Sequence, residues 1–488
     1  MCGVIGVIGQ GPVIGEIADA LLFIQHRGQD AAGAATFDGK TFRSTKGMGL
    51  VREVFAKEDL GRFVGHMGIG HVRYPTIGGG GVEDAQPFEV NSPFGIVMAH
   101  NGNLTNFKPL RDELMTRSRR YVGSNCDVEV ILNVFADYLT RAIPDGDCDD
   151  PRDAVFEAVA GTFSRCRGSY SVVSLVAGVG LVAFRDPYGI KPLIYGRKRD
   201  GDGWRYMFAS ESCALVSLEY EVVRDVLPGE AVIVRPGEEP EFRQVAEARP
   251  NLCIFEFIYF ARPDSMIDGI SVYKARLRLG EALARRWGEN QIDVDTVIPV
   301  PDSSRPCAQQ MAFELGKPLR EGLLKNRYIG RTFIMPGNEN RRRGIRHKLS
   351  PVRLEIEGKR VLLVDDSIVR GNTSEQIIAM VRDTGATEVH MASSCPPLRY
   401  PCVYGVDMST KSEFVAAGRD NDGIRDRIGA DSLLYQSLDD MVEAVGAPDD
   451  EVPRTFCKAC MDGEYPTGDV TPEVLDRIER ERLEAPSC

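Results

Sequence analysis

Val361-Leu362-Leu363-Val364-Asp365-Asp366-Ser367-Ile368-Val369-Arg370-Gly371-Asn372-Thr373-Ser374 decides the architecture of the second half of this chain. Four aliphatic residues, a run suited to a buried strand, end in two adjacent carboxylates. A short polar loop with one glycine follows, and then the helical pattern opening at Ser374-Glu375-Gln376-Ile377-Ile378. Strand, loop and helix in that order make an anion site. The first N–H groups of a helix lack partners within it and suit a phosphate. Gly371 lets the backbone approach closely, and Thr373 and Ser374 add hydroxyl donors. Asp365 and Asp366 stand at the carboxyl end of the strand, where ligands collect in open α/β sheets. Paired acids there can hold ribose hydroxyls or Mg²⁺, a hard cation that prefers oxygen. The alternative is a plain buried strand running into a capped helix.

Working outward, residues 256–440 alternate helical patterns (272–287, 304–315, 374–384) with aliphatic strands (296–300, 361–364, 388–392). That alternation predicts an α/β domain with a parallel sheet. Residues 2–235 read differently. Short strand-like runs at 2–8, 95–99, 170–177, 180–184 and 230–234 are bounded by Gly, Pro and Asn, with helical stretches near 14–24 and 128–138. Residues 236–255 include a charged, proline-bracketed linker. Residues 441–488 form a tail with a Cys-x-x-Cys pair and a helical pattern at 471–483. The stretch 325–350 carries Arg327, Arg331, Arg341, Arg342, Arg343, Arg346, His347 and Lys348. It reads either as a solvated basic loop or as a lid over a polyanionic substrate.

A chain of 488 residues calls for two or three domains. A hydrophobic share of 43% with 27% charged residues fits a globular protein, and a net charge of −12 argues against a general nucleic-acid binder. No apolar run reaches membrane-spanning length and no signal peptide is legible, so no membrane partner is expected and the cytoplasm is the expected compartment.

Cys2 follows the initiator methionine. Loss of Met1 would give it a free α-amine of ordinary pKa about 7.7–8.0, a built-in base for its own thiol. Three motifs accompany it: Gln25-His26-Arg27-Gly28-Gln29-Asp30, His71-Val72-Arg73-Tyr74-Pro75-Thr76 and His100-Asn101-Gly102-Asn103-Leu104. Taken separately, Arg73 could be a surface cation, Asn101-Gly102 a hairpin turn and Asp127 a helix cap.

Twelve cysteines in a cytoplasmic chain are not expected to form disulfides. Cys126, Cys148, Cys166, Cys213 and Cys307 read as buried small hydrophobes, and Cys488 as exposed. Cys457 and Cys460 form a Cys-x-x-Cys pair that two further thiolates, Cys253 and Cys402, would complete. Zinc, an iron–sulfur cluster or a plain reduced pair are all open on chemistry alone, and Cys395 competes with Cys402.

Residues 361–374 resemble the phosphoribosyl diphosphate (PRPP) motif of type I phosphoribosyltransferases, with Asn372 where that family often has threonine. The motifs around Cys2 resemble those of class II glutamine amidotransferases over most of residues 2–235. The second resemblance implies an N-terminal-nucleophile αββα sandwich, with Cys2 as nucleophile. It implies that Arg73 and Asp127 bind the glutamine carboxylate and α-amine, and that Asn101 and Gly102 form the oxyanion hole. The first implies that Asp365, Asp366 and Ser303 contact Mg²⁺ or ribose. It implies that Ser367, Gly371, Asn372, Thr373 and Ser374 cradle the 5-phosphate. The flanks of Cys253, Cys402, Cys457 and Cys460 are similar to the branch bearing a structural [4Fe-4S] cluster. Members of that branch often carry a propeptide before the catalytic cysteine, whereas here methionine removal would suffice.

Together the halves resemble the amidophosphoribosyltransferases. This implies glutamine-dependent conversion of PRPP to 5-phosphoribosylamine, glutamate and diphosphate, the opening of purine synthesis. It also implies inhibition by purine nucleotides and a homotetramer. Another class II amidotransferase would lack residues 361–374, and a salvage phosphoribosyltransferase would lack Cys2. A PRPP-sensing repressor would need a basic module absent from this sequence.

Overall fold

The structure is a computed structural model and describes residues 1–74, 81–143, 150–326, 349–406, 410–446 and 454–484. Most of the basic stretch, along with Cys148 and Cys488, lies outside the described residues.

Two antiparallel sheets dominate the first half. One has seven strands in the order Glu221–Asp225, Ile194–Asp200, Gly203–Ala209, Gly3–Ile8, Met67–Arg73, Ala31–Phe37 and Phe42–Met48. The other has six, ordered Glu241–Gln244, Glu230–Val234, Gly180–Arg185, Gly168–Val176, Ile96–Leu104 and Phe88–Val90. The period-2 geometry of a strand explains how they stack. Val4 and Ile8 join Ala35, Val97, Val173 and Leu181 between the sheets. Ile5 and Val7 face the other way, with Ile14, Ile17 and Leu21 of the helix Ile14–Phe23. The second sheet's outer face is covered by Asp127–Ala142 and Arg152–Arg165. The layers are therefore αββα. Gly6 keeps the sheets close, because a Cβ there would lie 3.2–3.4 Å from Leu181 and Val173.

The second half holds a four-stranded parallel sheet, Thr296–Pro299, Arg360–Asp365, Glu388–Ser393 and Ser432–Tyr435. Alternate residues of Arg360–Asp365 enter different cores. Leu362 and Val364 pack with the helices Val272–Glu289 and Arg305–Glu314. Val361 and Leu363 pack with Asn372–Asp383 and Asn421–Ile428. The helix Leu438–Gly446 runs across residue 440 and packs on Val272–Glu289. The linker is not bare coil: Glu241–Gln244 is an edge strand of the second sheet. Leu252–Cys253 pairs in parallel with Phe456–Cys457, bringing Cys253 opposite Cys457. Among the described residues no helix is long and apolar enough to cross a membrane.

Candidate functional site

Cys2 precedes a central strand of the seven-stranded sheet. Because Gly3 pairs with Val72, Arg73 comes level with it. Cys2 N–H donates to Asn101 Oδ1 at 3.2 Å, and Cys2 Sγ lies 3.6 Å from the Tyr74 carbonyl. Asn101 and Gly102 sit within the strand Ile96–Leu104, so the hairpin-turn reading fails: the strand continues through both residues. Asn101 is fully buried, and its Nδ2 has no hydrogen-bond partner among the described residues. A buried unsatisfied donor costs roughly 1–3 kcal/mol and calls for an explanation.

Asp127 begins its helix without capping it. Its Oδ2 accepts from Leu104 N–H at 2.9 Å, and its Oδ1 is 3.2 Å from His100 Nε2. Burial works against the charge, but His100 and that N–H hold the carboxyl below its usual range. Arg73 is buried rather than a surface cation, with Nη2 3.7 Å from Asp84 Oδ2. Cys2 and Arg73 at adjoining strand ends, Asn101 and Gly102 within the strand Ile96–Leu104, and Asp127 at the helix start packed on that strand are thus gathered together.

One constellation escaped sequence reasoning. Arg27, fully enclosed, donates from Nε to the Cys2 carbonyl at 2.9 Å and from Nη1 to Glu211 at 2.5 Å. It also makes two bonds to Glu256, at 3.1 and 2.8 Å. Its motif was visible, but its carboxylate partners lie 184 and 229 residues away.

At the second centre, Asp365 and Asp366 are both buried at the end of the central parallel strand. Ser303 Oγ donates to Asp366 Oδ2, and Ser367 Oγ to Asp366 Oδ1 at 2.7 Å. Asp366 N–H donates to Asp365 Oδ1 at 2.9 Å. Burial, and then the neighbouring Asp366 charge, push the Asp365 carboxyl well above its usual range. Burial also raises Asp366, against the opposing Ser303 and Ser367 hydroxyls and the Arg276 guanidinium. Two adjacent buried carboxylates of this kind favour a bound cation or bound hydroxyls. Gly371, at φ +76°, caps the helix Asn372–Asp383, whose first residues include Thr373 and Ser374. Asn372 Oδ1 accepts from Arg427 at 3.1 Å, and Arg427 also pairs with Glu375 at 2.7 Å. A threonine there would lack this amide oxygen.

The third feature is a cavity lined by Ile190, Cys253, Phe255, Cys402, Tyr404, Val406, Cys457, Ala459 and Cys460. All four sequence-selected cysteines border it, and Cys395 does not. No group of three or more His, Cys, Asp or Glu among the described residues is placed to hold a single metal ion. The thiols surround a space instead. Burial pushes Cys253 up to about 11 and Cys457 and Cys460 further still, so a metal bound by these thiols would have to displace their protons. Tyr404 N–H points at Cys402 Sγ at 3.4 Å. The ten cysteines of the described residues are all buried and free of disulfides.

Known proteins resemble this chain from end to end. The glutamine amidotransferase domain family matches residues 77–217 and the phosphoribosyl transferase domain family residues 270–407. The amidophosphoribosyltransferase of Pasteurella multocida is 49% identical over 99% of this chain and 96% of its own length. That of Saccharomyces cerevisiae is 43% identical over 99% and 95%. The solved glutamine PRPP amidotransferase of Bacillus subtilis, complexed with ADP and GMP, superposes with a TM-score of 0.85 at 38% identity, covering 96% of this chain and 98% of that one. With the two domains in this order and relatives this similar over its whole length, the chain belongs to the amidophosphoribosyltransferase family.

Proposed function

We propose that glutamine is hydrolysed at Cys2 and that the released ammonia attacks PRPP held at Asp365–Ser374. The observation that carries the first half is the buried Asn101 Nδ2 beside Cys2, which has no partner among the described residues. Such a donor suits the oxyanion of a tetrahedral intermediate, where one hydrogen bond can be worth roughly 3 kcal/mol of barrier. In this reading Met1 is removed and the freed α-amine stays against Asn101 Oδ1. It takes the thiol proton as Sγ attacks the amide carbon, and passes that proton to the departing ammonia. Water then cleaves the thioester to glutamate. Arg73 and Asp127 orient the glutamine carboxylate and α-amine, with Gly102 N–H as the second oxyanion donor.

At the second centre ammonia displaces diphosphate from the ribose C1. Ser367, Gly371, Asn372, Thr373 and Ser374 hold the 5-phosphate, and Asp365 and Asp366 face the ribose side. Mg²⁺, when bound by Asp365, Asp366 and Ser303, would offset diphosphate charge. The raised carboxyls of the aspartate pair support that assignment. Cys253, Cys402, Cys457 and Cys460 would hold a [4Fe-4S] cluster. The support is their placement around a space, where a tetrahedral zinc would need four sulfurs about 2.3 Å from one point. Purine nucleotides like the ADP and GMP bound to the Bacillus subtilis relative are the proposed inhibitors. A homotetramer in the cytoplasm completes the reading, resting on the family resemblance.

The test is Cys2→Ser. Glutamine-dependent synthesis should vanish while synthesis from free ammonia persists, and loss of both would overturn the two-site scheme.

A further inference from the structure

The segment just after Cys402 packs against the glutaminase strand that carries Asn101 and Gly102. Asn103 Nδ2 donates to the Val403 carbonyl at 2.9 Å, and Ser169 Oγ donates to the Tyr404 carbonyl at 2.9 Å. All four residues of these two bonds are buried. Gly405 comes closer still. A Cβ on it would stand 2.8 Å from the Gly102 carbonyl oxygen and 2.9 Å from its carbon, and its φ of +92° disfavours any other residue. A Cβ on Gly102 would in turn run into the Ser169 backbone. Gly102 is therefore packed closely against both Ser169 and Gly405, and Ser169 is itself tied to Tyr404.

We propose that the 402–405 loop is a positioning clamp for the oxyanion strand, with Gly405 and Ser169 as positioning residues for glutamine hydrolysis. This rests on the assignment of Asn101 and Gly102 as oxyanion donors. The loop meets Gly102 at its backbone carbonyl, so it acts through backbone placement. Oxyanion donors meet charge that develops only as the tetrahedral intermediate forms. Loosening the clamp therefore lowers kcat for glutamine and leaves glutamine binding alone.

The experiment compares Gly405→Ala and Ser169→Ala with the parent in the full-length protein purified anaerobically. Glutamine-dependent turnover, ammonia-dependent turnover and iron per chain are each measured. Gly405→Ala should lower glutamine kcat about tenfold or more, since small misplacements of catalytic groups are costly. Ser169→Ala, which removes one hydrogen bond without adding volume, should lower it roughly fivefold. In both variants KM for glutamine and ammonia-dependent turnover should stay within about twofold of the parent, as expected when only transition-state stabilisation is lost. Iron should be retained.

Unchanged glutamine kcat in Ser169→Ala overturns the clamp, as does an equal fall in the ammonia-dependent rate. If Gly405→Ala does not accumulate as folded protein, Ser169→Ala decides alone. Asn101→Ala separates the two ideas. If that variant keeps full glutamine kcat, the oxyanion assignment fails, whatever the clamp variants do.

Discussion

Arg27→Met is the perturbation that most directly probes how the domains are joined. Arg27 belongs to the glutaminase domain, and Glu256 opens the π-helical turn Glu256–Phe260 leading into the second domain. The Arg27, Glu211 and Glu256 side chains are all enclosed, at 0%, 0% and 1% exposure. Removing the guanidinium strands its partners unequally. Glu211 keeps His26 at 2.7 Å, the Arg262 N–H at 2.9 Å and Ser265 Oγ at 2.8 Å. Among the described residues both side-chain hydrogen bonds of Glu256 are to Arg27, so Glu256 becomes a buried carboxylate without a partner among them. That costs roughly 3–5 kcal/mol. The Cys2 carbonyl also loses its donor, at roughly 1–3 kcal/mol. The single variant should therefore lose about 4–8 kcal/mol, a large share of a typical folding free energy of about 5–15 kcal/mol. In a Glu256→Gln background the charge is absent, and Arg27→Met should cost only about 1–3 kcal/mol, a coupling of roughly 3–5 kcal/mol. The chain's two tryptophans allow a domain-resolved assay. Trp204 lies on the strand Gly203–Ala209 and Trp287 on the helix Val272–Glu289. Urea unfolding followed in Trp204→Phe and Trp287→Phe backgrounds reports each domain separately. The parent should unfold in one transition, and Arg27→Met should split it in two. A cost below about 1 kcal/mol, or no offset by Glu256→Gln, would refute the reasoning, because no buried charge would then have been uncovered.

Three further outcomes are expected. Cys402→Ser should lose iron after anaerobic purification while Cys395→Ser retains it, and the reverse result would exchange their roles. Asp365→Asn should abolish PRPP-dependent synthesis yet raise the melting temperature of ligand-free protein in chelator at neutral pH. The folded state raises this carboxyl, so ionisation above the unfolded value costs stability, and the advantage of Asn should fade as pH falls toward about 4; a lower melting temperature at pH 7 would contradict this. Gly371→Ala should raise KM for PRPP roughly 5–30-fold, matching about 1–2 kcal/mol for a left-handed alanine. Its Cβ would stand 2.7 Å from Val415 Cγ2, so a Val415→Ala partner substitution should recover part of the loss.

How far the sequence could be read depended on distance along the chain. The strand, loop and helix at residues 361–374 were legible because an aliphatic run, two acids and one glycine are all local signals, and the helix begins two residues earlier than its periodicity suggests because Gly371 caps it. Cys2 was legible because its position is itself the signal. Taken alone, Asn101-Gly102 could equally be a turn, because local composition cannot register that Gly102 is packed against two other backbones. Taken alone, Asp127 could equally be a cap, because its partners in the fold, Leu104 N–H and His100, lie 23 and 27 residues earlier, on the neighbouring strand. Ser169 meets Tyr404 across 235 residues. Such contacts leave no periodicity to find.

The cysteine cavity and the glutaminase centre share a wall, and the shared wall changes what the four cysteines can do. Ile190 lines the cavity, and its carbonyl accepts from Cys253 N–H at 3.1 Å. Tyr404 lines it too, while its carbonyl accepts from Ser169 beside Gly102. Cys253 and Cys457 are register partners on two short parallel strands, which alone would hold the tail weakly. A group bound by all four thiolates would tie linker, loop and tail into one unit, and binding free energy of that kind is folding free energy. Its loss would release the 402–405 loop before it reached the parallel sheet, whose strands are held by their own two cores. Glutamine-dependent turnover should therefore fail before ammonia-dependent turnover as iron is withdrawn with a chelator. Parallel loss of both rates would mean that the four cysteines support the whole fold, with no special hold on the oxyanion strand.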